Sequence, residues 1–220
     1  MVRVLVFNGW AAGPEAWELC KFPHDWVFDY IEQLDGLPER VVADMDEILL
    51  VGFSMGGASA LRLFLDHPEK VKGLVLVSAT PRMMEDKARG WKGMSPRRLQ
   101  AFELGTEFLF GDDPSPIYRE DNLRRGIEFL RATDLRDRLE AYAREGHPPL
   151  PVAVFQSDHD GVVRPSNADF LKAVFPQARV TIVPGTEHVL PVTVPEQIDA
   201  AVLSMLEELG CLEERDYDET

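Results

Sequence analysis

At 220 residues the chain is long enough for one domain with a buried core, and 45% hydrophobic with 28% charged residues is a globular balance. A net charge of −15 leaves no basic face for nucleic acid, and no apolar run reaches the roughly 18 residues that a membrane span needs. Cys20 and Cys211 lie far apart without metal-ligand spacing, which fits reduced thiols in a cytoplasmic protein.

The run Val2–Phe7 is short and apolar, and no small-residue cleavage site follows it. It is expected to be a buried strand and not a signal peptide. Five more runs rich in Val, Ile and Leu follow: Trp26–Tyr30, Ile48–Phe53, Gly73–Ser78, Val152–Phe155 and Val180–Val183. Most are apolar throughout and do not alternate, as in strands of a parallel sheet covered on both faces. Met55–Asp66, Asn167–Val174 and Glu196–Leu209 carry apolar residues at helical spacing, the first stopped by Pro68 and the last entered at Pro195. Strand alternating with helix predicts a doubly wound, mostly parallel α/β sheet of about six strands.

Residues 82–149 break that rhythm. Helical patterns at Ser95–Phe110 and Asn122–Ala143 flank the turn-rich Gly111–Pro116, and no strand intervenes. This is too long for a plain loop, so 82–149 is expected to be a helical lid inserted into a core of 1–81 and 150–212, with 213–220 an acidic tail. An insertion at the carboxyl edge of a parallel sheet lies over the place where such folds bind ligands. Residues 82–138 hold 12 Lys+Arg and 11 Asp+Glu, against 11 and 27 in the rest of the chain. Ordinary surface variation would account for that asymmetry, and so would a negatively charged partner docking on the insertion.

The chemistry concentrates at Gly52-Phe53-Ser54-Met55-Gly56-Gly57, between the strand ending at Phe53 and the helix starting at Met55. Gly-x-Ser-x-Gly in that setting makes a sharp, strained turn that lifts a serine hydroxyl out of the sheet at a helix N-terminus. A serine is a poor nucleophile without a base. In such enzymes the acid and then the histidine follow later in the chain. His188, after the strand Val180–Val183, fits the base. His67 fits a helix cap, His159 an ion pair, and His24 and His147 lie in loops beside prolines. The acid is Asp160 or Asp158. Asp160 is preferred because Gly161-Val162-Val163 and Arg164-Pro165 lead from it into the next helix. Two backbone N–H groups are expected to hold the oxyanion: that of Met55, and that of Trp10 in the loop Asn8–Gly13, exposed by a turn at Gly9 with the indole lining the acyl pocket. No metal cluster appears in the sequence, and Gly-x-Ser-x-Gly-Gly lacks the Lys-[Ser/Thr] of a nucleotide loop, so no cofactor is expected.

Further residues carry a resemblance. Phe7-Asn8-Gly9-Trp10, Trp91-Lys92-Gly93-Met94-Ser95-Pro96 with Leu99 and Phe102, Gly126-Ile127-Glu128-Phe129-Leu130, Thr133-Asp134-Leu135-Arg136 and Asp160-Gly161-Val162-Val163 resemble the α/β-hydrolase superfamily. Within it the chain looks most like the pimeloyl-acyl-carrier-protein methyl ester esterases of biotin synthesis. The resemblance implies an α/β-hydrolase fold with a helical lid and strengthens Asp160 as the acid. It implies hydrolysis of a methyl ester on a carrier-bound acyl chain, with Ser54 forming the acyl-enzyme and His188 activating water. It also implies an acidic acyl-carrier protein as partner, with Arg119, Arg124, Arg125 and Arg131 as candidate docking residues on the lid; the chain is expected to be a monomer. The chain departs from the family in three ways. It begins at what is usually the third strand, so the first two usual strands are expected to be absent. The lid between Phe102 and Gly126 is short, and position 8 is Asn where many relatives have His. The alternatives are a general small-ester or thioester hydrolase, or a binding module without turnover.

Overall fold

A computed structural model describes residues 1–82, 119–185 and 188–211. The expected helix Ser95–Phe110, the Trp91–Pro96 motif and the tail 213–220 lie outside the described residues.

Six strands form one open, all-parallel sheet: β1 (Arg3–Phe7), β2 (Trp26–Phe28), β3 (Ile48–Phe53), β4 (Val71–Val77), β5 (Val152–Ser157) and β6 (Arg179–Val183). Their spatial order is β2-β1-β3-β4-β5-β6, so the chain winds outward from β1 in both directions. Side chains alternate between two cores. Leu5, Phe7, Leu50, Leu74 and Val154 face one layer, against Leu61, Phe64 and Leu171. Val4, Val6, Val51, Val75 and Phe155 face the other, against Trp17, Leu190, Ile198, Val202 and Met205. Burial on both faces is why β3, β4 and β5 read as unbroken apolar runs. The edge strand β6 is half-covered, with Ile182 exposed.

The run expected to be strand through Tyr30 ends at Phe28. Asp29 caps α1 (Tyr30–Leu34): its Oδ1 accepts from Glu32 N at 2.8 Å, and Glu32 Oε2 accepts from Asp29 N at 2.9 Å. That reciprocal cap turns the chain into a helix, and Tyr30 is buried on it. A second short helix, α2 (Leu37–Val42), follows before β3. The helix α3 (Met55–Asp66) has the expected bounds.

The pattern Asn122–Ala143 is two helices and not one: α4 (Glu120–Ala132) and α5 (Arg136–Arg144). Between them Thr133-Asp134-Leu135 returns to the point where the chain leaves the core. Leu135 N donates to Pro81 O at 2.9 Å, and Arg82 bridges antiparallel to Asp134. Arg136 grips the Asp134 carboxylate with two bonds of 2.9 Å. The Asp-Leu-Arg stretch singled out in the sequence therefore closes the neck of the connection between β4 and β5. The two helices also have different roles. Leu139 of α5 is buried in the same core layer as Phe64 and Leu171, whereas α4 packs by Leu123 and Leu130 against Tyr30, Met55 and Trp10. Three further α-helices follow, α6 (Ser166–Val174), α7 (Leu190–Thr193) and α8 (Pro195–Glu208), and a 3-10 turn spans Pro14–Trp17 after β1. Among the described residues no helix is long and apolar enough to cross a membrane.

Candidate active site

Ser54 sits where β3 turns into α3, with φ 54° and ψ −116°. This is strained backbone for a non-glycine residue. The turn is possible because β1, β3 and α3 pass close together. A Cβ on Gly56 would stand 2.3 Å from the carbonyl oxygen of Phe7, and one on Gly52 would stand 2.6 Å from that of Gly56. Ser54 occupies the N-cap position of α3, yet its hydroxyl makes no capping bond. It meets His188 Nε2 at 2.8 Å instead.

His188 lies between β6 and α7, and Asp160 lies just after β5. Their side chains meet at 2.9 Å between Nδ1 and Oδ2, with the carboxylate fully buried and the imidazole 16% exposed. The other carboxylate oxygen, Oδ1, accepts from Val162 N at 2.7 Å and Val163 N at 2.8 Å. Gln156 Nε2 adds a 3.2 Å contact to Oδ2 and bonds Ser157 O and Val163 O, so a buried amide braces the acid turn from within β5. Burial raises the Asp160 pKa, but the hydrogen bond and charge of His188 and the two N–H groups outweigh it and hold the group below its usual 3.8. A depressed folded pKa stabilises the fold above the ordinary carboxylate range. That contribution disappears as pH falls through the lowered value.

Asp158, the competing candidate, does not reach the imidazole of His188. It accepts from Gly185 N at 2.9 Å and from His159 Nδ1 at 2.6 Å. The Gly185 bond and the neighbouring His159 pull its pKa down. Asp158 thus ties the turn after β5 to the turn after β6. The remaining histidines are elsewhere: His67 ends α3, and His147 stacks on Tyr142 at 4.3 Å. Cys20 and Cys211 are free, and burial together with Asp199 and Glu196 pushes the Cys20 thiol up to about 12.

The loop that carries Trp10 turns at a different residue from the one expected. Gly9 is not the residue that turns the loop, because the left-handed residue there is Ala11, with φ 56°. Gly9 is needed for close approach, since a Cβ would lie 3.0 Å from the Phe53 ring and 3.3 Å from Ser54 Cβ. The indole is engaged by α4: Nε1 donates to Leu123 O at 2.9 Å. A Cβ on Gly126 would stand 2.4 Å from Trp10 Cδ1. Gly126→Ala is therefore expected to overpack this contact, at a cost of about 1–3 kcal/mol, and to lower the thermal midpoint by ~2–10 °C. Gly161→Ala, with nothing within 4 Å of the added carbon, should leave it unchanged in the same calorimetric scan.

Of the arginines, Arg125 binds Asp35 at the end of α1 and Asn122 at 3.1 Å, which fastens α4 to the core. Its side chain is still 41% exposed. Arg119, Arg124 and Arg131 are exposed.

The sequence reading missed Gln156, Leu123 and the serine after β4, Ser78, whose hydroxyl donates to His188 O at 2.8 Å. Gln156 had a visible signal: a large polar side chain at the end of an otherwise apolar strand, four residues before the acid.

Comparison with known proteins agrees with this geometry. The alpha/beta hydrolase family model matches residues 4–201. The pimeloyl-[acyl-carrier protein] methyl ester esterase of Proteus mirabilis is 22% identical, over 96% of this chain and 94% of its own. That of Nitrosomonas europaea is 28% identical, over 76% and 75%. Among solved structures, a hydrolase from Oleispira antarctica superposes with a TM-score of 0.68 at 15% identity, covering 94% and 91%. An esterase from Exiguobacterium antarcticum gives 0.66 at 17%, covering 93% and 92%. A six-stranded parallel sheet, a strained serine at its carboxyl edge and a family match across nine-tenths of the length together place the chain in the alpha/beta hydrolase family.

Proposed function

We propose that the protein is a serine carboxylesterase that hydrolyses the methyl ester of a carrier-bound acyl chain, with Ser54, His188 and Asp160 as its triad. The observation that carries this reading is the unbroken file of contacts Asp160–His188–Ser54, at 2.9 and 2.8 Å, ending on a strained elbow. Ser54 Oγ attacks the acyl carbonyl while His188 Nε2 takes its proton. Asp160 keeps the Nδ1 proton in place and stabilises the imidazolium. The oxyanion is held by the N–H groups of Met55 and Trp10. His188 then returns the proton to the departing methoxide, which leaves as methanol. Water, deprotonated by His188, attacks the acyl-enzyme; Ser54 Oγ leaves with the proton returned by His188, and the freed acid ionises to the carboxylate.

The carrier-bound substrate, and with it a place in biotin synthesis, is supported by the relatives' names, by the Asp-Leu-Arg neck and by the insertion's charge balance against an otherwise acidic chain. The lid in this reading includes α4. The test compares pimeloyl-carrier methyl ester with free dimethyl pimelate. A kcat/KM at least ~10²-fold higher on the carrier-bound ester is expected. Equal values would favour a general small-ester or thioester hydrolase.

Docking adds a second expectation. Reversing charge at both Arg124 and Arg131 (Arg→Glu) should lower kcat/KM on the carrier substrate by about 10-fold at low salt and leave short p-nitrophenyl esters unchanged. Equal loss on both substrates would argue against docking through α4.

A further inference from the structure

We propose that Ser78 is a positioning residue, whose hydroxyl fixes the main chain of His188 and so aims the imidazole at Ser54. The inference rests on the triad reading above.

Ser78 follows β4 at the carboxyl edge of the sheet, between the strand that carries the serine and the strand that leads to the acid. Ser54 N donates to Val77 O at 2.9 Å, and Ser78 N donates to Phe155 O at 2.8 Å. The residue is thus anchored to β3 through its neighbour and to β5 directly. It is fully buried, and its φ is 45°, in the left-handed region that favours glycine. Backbone geometry alone would select glycine here. What serine adds is Oγ, and that oxygen donates to the carbonyl of His188 at 2.8 Å.

The histidine needs such a hold. It lies in a connection and not in a strand, and the contact to Asp160 restrains only one ring nitrogen. The start of this connection is tied by Asp158 to Gly185 N at 2.9 Å. Its end is held at the His188 carbonyl, by Ser78 from the sheet and by Leu190 N at 3.0 Å from α7. Without the hydroxyl, the carbonyl keeps a local partner on its own loop and loses the one that ties it to the sheet. A drift of ~1 Å at the reacting atoms is enough to cost on the order of 10²-fold in rate.

The test uses Ser78→Gly and Ser78→Ala, assayed at a temperature where circular dichroism finds both folded. Glycine relieves the positive φ, so Ser78→Gly should be at least as stable as Ser78→Ala. Both should lose on the order of 10- to 100-fold in kcat on a short p-nitrophenyl ester. KM should change little, and the labelling rate with a fluorophosphonate should fall in parallel. A kcat like that of the wild type in both variants would overturn the proposal. So would a loss that only tracks the unfolded fraction, because the hydroxyl would then serve stability alone. A wild-type protein that neither hydrolyses the ester nor takes the label would remove the triad reading, and this proposal with it.

Discussion

Ser54→Ala should lower kcat on any ester by on the order of 10⁶-fold while the protein stays folded. The side chain is the only group at the elbow that can form the acyl-enzyme, and its hydroxyl makes no capping bond whose loss would loosen α3. The backbone strain at φ 54° is the same for alanine as for serine, so the thermal midpoint should move little. What survives is the contribution of the oxyanion donors and of binding, about 10³–10⁴ over water. Steady-state hydrolysis of a p-nitrophenyl ester measures this. A loss smaller than about 10-fold would place the nucleophile elsewhere.

Asp160→Asn should cost about 10⁴ in kcat, for a different reason. The introduced amide is nearly isosteric and can still accept from Val162 and Val163 N–H through the Oδ1 position. Its NH₂ group would then face His188 Nδ1, where the carboxylate accepted the Nδ1–H hydrogen bond. The imidazole would answer by carrying its hydrogen on Nε2, toward Ser54, and could no longer act as base. Asp158→Asn is the control. Its Oδ1 accepts from Gly185 N, a role an amide oxygen can keep, so kcat should fall by less than ~10-fold. Measuring the two side by side separates the acid from its neighbour. A larger loss at Asp158 would reverse the assignment.

The elements that position the site were legible where one physical signal dominates. Unbroken apolar runs flanked by helical periodicity pointed to a parallel sheet, and Gly-x-Ser-x-Gly between strand and helix pointed to the elbow. Asp160 was separable from Asp158 by the turn that follows it, and in the structure that turn supplies the N–H groups of Val162 and Val163. What stayed hidden depends on contacts between segments far apart in sequence. Trp10 engages Leu123 across 113 residues, Arg125 engages Asp35 across 90, and Ser78 engages His188 across 110. No local pattern encodes such pairs. The helix break at Thr133–Leu135 was obscured similarly: helical periodicity continues across it, and the return to Pro81 and Arg82 is a tertiary constraint. The strand that ended early at Phe28 is another matter, because Asp29 and Glu32 carry a capping signal that the apolar run masked.

The most direct measurement is the site and rate of covalent modification by a fluorophosphonate, read by peptide mass spectrometry. One adduct is expected, on Ser54, forming at least ~10²-fold more slowly in His188→Ala. An adduct on another residue, or an equal rate without the imidazole, would contradict the account.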